Sequence, residues 1–184
     1  MRYGTNEKAE LKQDTKYFQS GGIHNNVKLQ SVKFSNSKQD GSGDKQVIDF
    51  LIIGENGELF NHREWPQEED GKIKNQSVRL RRWVKELTGT DSFPTTFASW
   101  NECAHIFIAS VLGNTTLLQV KLLYNDKGFL EMPKYDSSVR SMADATLTIS
   151  KSEEPKTHKR SATPTNIDSV VDDLPVDISD DLPF

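Results

Sequence analysis

The alternation of apolar and polar positions along the chain predicts five strands and two helices. Val27, Leu29 and Ser31 alternate with Lys28 and Gln30, then the phase slips to Val32 and Phe34. A strand over 27–34 with a β-bulge near Gln30–Val32 accounts for the slip. Val47 to Ile53 is nearly all apolar and β-branched, which predicts a strand covered on both faces. Asn56–Gly57 marks a hairpin, and Glu58 to Trp65 follows as a third strand closed by Pro66. On that strand Phe60, His62 and Glu64 share one face, while Asn61, Arg63 and Trp65 share the other.

Residues 67–75 are polar and read as a loop. Leu80, Trp83, Val84 and Leu87 then fall on one face of a helix over 76–88, with Gly89 placed to end it. Arg79, Arg81, Arg82 and Lys85 give that helix a basic face, read as solvated in preference to phosphate-binding. Phe97, Trp100, Ala104, Phe107, Ile108 and Val111 form the stripe of a second helix over 97–112. Its Ser99 and Glu102 have the spacing of a capping box, and Gly113 sits at its end. Thr116 to Tyr124 is a fourth strand, with Leu118, Val120, Leu122 and Tyr124 on one face and Gln119 and Lys121 on the other. A turn at 125–128 leads to a fifth strand from Phe129 to Tyr135, and Thr146–Ile149 reads as a short edge strand.

Three strands, helices and two further strands describe a mainly β domain with a helical insertion. That order matches a five-stranded OB barrel over residues 21–150. A split α+β sheet has the same element order. Residues 1–20 read as a flexible arm. From Lys151 onward the chain holds four of its seven prolines and one aromatic, its last residue, so residues 151–184 read as a disordered tail.

Length and charge refine this picture. The chain has 184 residues, enough for one domain with tails. It has no run of eighteen apolar residues and opens on a polar segment, so neither a membrane span nor a secretion signal is expected. A single cysteine, Cys103, fits a reducing cytoplasm without disulfides. The net charge of −4 is uneven. Ser161 to Phe184 carries six aspartates and no Lys or Arg, so the rest of the chain carries +2 (−4 less −6).

That acidic end finishes Asp180-Asp181-Leu182-Pro183-Phe184. It resembles the C-terminal tip of bacterial single-stranded DNA-binding proteins, with the body suggesting a divergent bacteriophage member. Leu182 stands where that family has Ile, and the usual Gly/Gln-rich linker is missing. The resemblance implies an OB domain that coats single-stranded DNA and a tail that docks on replication, recombination or repair proteins. In that role Pro183 and Phe184 are the anchor, and Asp180 and Asp181 the acidic approach. The chemistry of the tip agrees: Phe184 sets a ring beside a free carboxylate, and Pro183 lowers the cost of ordering it. Asp172-Asp173-Leu174-Pro175 nearly repeats the motif.

Binding a strand without reading its sequence requires aromatic faces for base stacking and cations along the phosphates. Trp65 beside Arg63 is the first candidate, with Phe60 and His62 on the same strand. Lys28 and Lys33 of the first strand, Lys121 and Tyr124 of the fourth, and Lys134 with Tyr135 at the end of the fifth complete the set. No cofactor or metal is expected. Cys103 and His105 diverge on a helix, which is poor ligand geometry. Asp49, Glu58 and Glu64 have no distinctive spacing for a nuclease's magnesium. The competing classes are a metal-dependent nuclease and an interaction protein that mimics DNA, the latter disfavoured by the +2 body. The expectation is a non-enzymatic DNA-binding protein of the host cytoplasm, its self-association open.

Overall fold

The computed structural model describes residues 15–39, 42–134 and 138–159, with backbone alone at residues 38, 39 and 42–44. The elements are β1 (Gly22–Gln39), β2 (Ser42–Ile53), β3 (Leu59–Glu64), α1 (Asp70–Thr88), α2 (Trp100–Val111), β4 (Leu118–Tyr124), β5 (Leu130–Glu131) and β6 (Val139–Ser141). The strands form a curled antiparallel sheet, a half-barrel of order β3-β2-β1-β4-β5, with the two helices packed against it. β5 and β6 share one flank of β4, pairing with its C-terminal and N-terminal halves respectively.

The curl comes from β1. Its residues from Lys28 pair with β2, and Gly22–Val27 pair with β4. The register slips between Leu29 and Ser31, so the predicted bulge is present, with Gln30 the extra residue. A second irregularity follows His24, and Asn26 there adopts φ 54, a left-handed conformation that Asn tolerates better than most residues. Two bends let one strand serve both halves of the sheet.

The inner face is apolar and aromatic. Ile48, Phe50 and Ile52 of β2 are buried, and Phe50 meets Trp83 of α1 and Phe107 of α2, each with ring centroids 5.2 Å apart. Such pairs add about 1 kcal/mol each beyond the area they bury. The predicted stripe Leu80, Trp83, Val84 and Leu87 is wholly buried, and Gly89 ends α1 at φ 73. Ser99 caps α2 by accepting the Glu102 amide at 3.1 Å, while the Glu102 carboxylate accepts the Ala98 amide at 2.6 Å.

Four expectations are corrected. Residues 70–75 are helical, although they have no apolar stripe to betray a helix; Lys72 bonds Glu69 at 2.6 Å in this turn. β2 is fully covered on its inner face only, since Asp49, Leu51 and Ile53 are half-exposed. The strand covered on both faces is β4, where Gln119 and Lys121 are buried as well as Leu118, Val120 and Leu122. The edge strand is Val139–Ser141, not Thr146–Ile149, and the fifth strand shrinks to Leu130–Glu131.

The second face of β4 is covered by residues 147–157, which puts the end of the folded body beyond Lys151. The Leu147 amide donates to Gln119 Oε1 at 2.7 Å. Lys121 Nζ reaches both Glu153 oxygens at 3.1 and 3.3 Å, and a short 3-10 turn at Glu154–Lys156 follows. The Gly21 amide donates to Thr157 O at 2.9 Å. Gly21 has no room for a side chain, because a Cβ there would sit 2.9 Å from Lys156 O and Thr157 Cα. At the other end, residues 16–18 run beside β3, with the Leu59 amide bonded to Lys16 O at 2.8 Å. Residues 1–14 and 160–184 lie outside the described residues.

This strap, residues 147–157, is expected to make the domain acid-sensitive. Burial raises the Glu153 carboxyl, but two bonds from Ser150 and the Lys121 ammonium outweigh it and bring it down to about 2. A carboxyl in the unfolded chain titrates near ~4.3. The folded form therefore gains stability from Glu153 above that value and loses it as pH falls toward 2. Glu153→Gln is expected to lower Tm at pH 7 and to flatten the fall of Tm between about pH 4.3 and pH 2. A variant whose acid limb matches the native chain would show that Glu153 does not hold the strap.

Candidate nucleic-acid interface

The outer face of β1, β2 and β3 is ordered in cross-strand rows. Lys33, Asp49 and Arg63 make one row; Ser31, Leu51 and Asn61 make the next; Lys28, Ile53 and Leu59 make the third. The outer rows are about 13 Å apart, four residues along β2. Tyr17 bridges to Leu59 and extends the third row across the edge of the sheet. Its neighbour Phe18 packs on the core, so alternation turns Tyr17 outward, where it is 58% exposed. Trp65 leaves the opposite end of β3, about 20 Å from Leu59 by strand rise. The face thus carries cations along its rim and half-exposed Leu51 and Ile53 in its middle, with Tyr17 beside one end of β3 and Trp65 following the other.

The predicted residues divide between this face and other places. Lys28 and Lys33 are exposed on it. Arg63 is there too, with Nε donating to Asp49 at 2.6 Å and Nη1 to Ser37 at 3.4 Å. Asp49 also accepts from Ser35, so its charge is well compensated. Trp65 is half-buried, and its carbonyl accepts the amides of Gln67 at 2.9 Å and Gln76 at 2.7 Å.

Phe60 and His62 are corrected. Both point inward and are buried, and the His62 ring lies 5.3 Å from Phe50, so neither presents a face to a base. Lys121 is corrected as well, since its ammonium is buried against Glu153. Tyr124 is half-buried and its hydroxyl donates to Gln19 O at 2.7 Å. Lys134 is exposed, but in a cleft on the other side of β3. Tyr135 and the tip from Asp180 to Phe184 lie outside the described residues.

Two exposed aromatics were missed. Tyr17 stands in the segment read as an arm, and Phe129, 67% exposed, follows Lys127–Gly128 in the β4–β5 turn. The signal for Phe129 was its place directly after a turn glycine. The basic helix face proves to be largely paired. Arg79 grips Glu64 at 3.0 and 2.9 Å, Arg81 grips Asp91 at 2.5 and 2.9 Å, and Arg82 meets Glu86 at 3.4 Å.

The groups weighed for a metal or a nucleophile do not converge. Asp49 and Glu64 face opposite sides of the sheet, and Glu58 sits at the β2–β3 hairpin. Among the described residues no group of three His, Cys, Asp or Glu is gathered to hold a metal ion. Cys103 is buried while His105 is exposed and bonded to Asn101 O at 2.8 Å. Burial, helped by Glu64 and Glu102, pushes the Cys103 thiol up to about 12, so it stays protonated at neutral pH. Among the described residues no helix is long and apolar enough to cross a membrane. No protein-family model matches the chain, and no curated protein matches it closely enough to lend it a family.

Proposed function

We propose that this chain binds single-stranded DNA without strong sequence preference, without catalysing a reaction on it. The observation that carries the reading is the outer face of β1–β3. A strand laid along it meets Lys28, Lys33 and Arg63 for phosphates and Tyr17 and Trp65 for bases, with Leu51 and Ile53 beneath. Stacking on a ring contributes about 1–3 kcal/mol per base and tolerates any base. The +2 charge outside the acidic end suits a polyanion.

The half-barrel is read as an open OB barrel. Its strand order, the sharing of β1 between β2 and β4, and the helices between β3 and β4 support this reading. The acidic tip, Asp180 to Phe184, is the docking element for replication, recombination or repair proteins, by its resemblance to bacterial single-stranded DNA-binding proteins. The cytoplasm of a bacterial host is the expected setting.

Titrating tryptophan fluorescence with oligo(dT) of increasing length tests the reading. Saturable quenching that grows in affinity with length up to one site size is the expected result, with the oligonucleotide left intact in magnesium. Removing Phe184 is expected to leave the isotherm unchanged while abolishing recruitment of the docking protein. Absence of both quenching and a gel shift at low salt overturns the binding reading.

A further inference from the structure

Behind β3 lies a second concavity, a cleft of about 470 Å³ between the inner end of β3, α1 and the segment around β5 and β6. Its size suits a nucleotide. Four cations line it: Arg79 and Arg82 from α1, Lys134 after β5, and Arg140 in β6. Glu64 is the one carboxylate among its described lining residues. Glu86 stands behind the wall, where its Oε1 accepts from Arg82 at 3.4 Å and Arg140 at 3.2 Å and its Oε2 accepts the Ser141 amide at 2.8 Å. Among the described residues, four cations stand against two carboxylates, an excess of positive charge.

The Arg79 guanidinium is held in place before any ligand arrives. Arg79 spends Nε and Nη2 on Glu64, which leaves Nη1 outside that pair. Arg82 lies three residues on, on the same side of the helix. Fixed guanidinium forks match the oxygens of a phosphate, and prior ordering removes much of the entropy cost of binding. Trp83, Val78, Met132 and Pro133 supply an apolar wall for the rest of a nucleotide. Gln76 bonds Glu64 Oε2 at 3.0 Å and Trp65 O at 2.7 Å, tying the floor of the cleft to the rim of the outer face.

We propose that this cleft binds a phosphate group carried by a nucleotide, at a site separate from the outer face of β1–β3. The phosphate is shared chemistry between a free nucleotide and the end of a bound DNA strand; the second source rests on the DNA-binding reading, and the first does not.

Calorimetric titration with thymidine monophosphate and with thymidine tests the site. The nucleotide is expected to bind with a dissociation constant of about 1 mM or tighter, and the nucleoside not to bind. The double variant Arg82→Gln, Lys134→Gln is expected to weaken the nucleotide about tenfold or more. It leaves the buried Arg79–Glu64 pair intact, and Glu86 keeps Arg140 and the Ser141 amide. A 5′-phosphorylated oligo(dT) that binds tighter than its 5′-hydroxyl form, with the difference lost in the double variant, identifies the strand end as the source. Equal binding of the two oligonucleotides alongside variant-sensitive nucleotide binding identifies the free nucleotide. No nucleotide binding, or binding unchanged in the double variant, overturns the proposal even if oligo(dT) still quenches tryptophan. Nucleotide binding with no oligo(dT) binding overturns the DNA-coating reading and leaves the cleft standing.

Discussion

Glu64→Ala is expected to cost about 3–5 kcal/mol, a large part of the stability of a domain this size. Glu64 is 2% exposed at the inner end of β3. It accepts from Arg79 Nε and Nη2 at 3.0 and 2.9 Å and from Gln76 at 3.0 Å, with His62 Nε2 at 3.3 Å. Burial pushes its carboxyl up, but the bonds and charges of His62 and Arg79 prevail and hold it far below the ordinary carboxylate range. Alanine removes the counterion and leaves a half-enclosed guanidinium and a buried imidazole facing a void. The expected fall in Tm is roughly 10 °C or more. Glu64→Leu combined with Arg79→Met should recover most of the loss, because replacing both members of a buried pair by apolar groups is often close to neutral. A Glu64→Ala variant within about 1 kcal/mol of the native chain would show that the network does not hold β3 to α1.

The same residue shows what the sequence could reveal. Alternation along the strand separated Phe60, His62 and Glu64 from Asn61 and Arg63 correctly. It did not say which set faces inward, because both, with Trp65 read into the second, mix aromatic and charged groups. The inward set carries two ionisable residues only because α1 delivers Arg79 and Gln76 to Glu64, across 15 and 12 positions. Lys121 was misplaced for the same reason: its partner Glu153 is 32 residues away, in a segment whose composition reads as disorder. Periodicity sees burial within one element and not the partner that another element brings. Where burial is purely apolar, as at Leu80, Trp83, Val84 and Leu87, the pattern sufficed. The bulge in β1 was legible because a one-residue slip moves every later side chain to the other face. Of the outer face, the exposed positions of Lys28, Lys33 and Arg63 were legible; that of Tyr17 was not, since it reaches the face through a single bridge to Leu59.

Replacing the three cations of the outer face together is expected to weaken oligo(dT) binding roughly a hundredfold at 0.15 M salt. Lys28→Gln, Lys33→Gln and Arg63→Gln keep side-chain bulk and remove three phosphate partners from two rows about 13 Å apart. Lys28 and Lys33 are exposed, and Asp49 retains Ser35 when Arg63 is gone, so the loss of stability should stay below about 1 kcal/mol. Loss of affinity alone does not single out the face, because the change also lowers the attraction of the whole domain for DNA. A control that changes Lys74, Lys85 and Lys151 to Gln removes the same charge from exposed sites elsewhere. The two variants have equal net charge, so they differ only in where the charge was lost. If the strand lies on β1–β3, the first variant flattens the dependence of log affinity on log salt by about two, since each phosphate contact on single-stranded DNA contributes a slope of about 0.7. The control should leave that slope nearly unchanged and cost less than about tenfold in affinity. Equal losses in the two variants would mean that attraction is diffuse, and the ordered rows of the outer face would then not be where the phosphates lie.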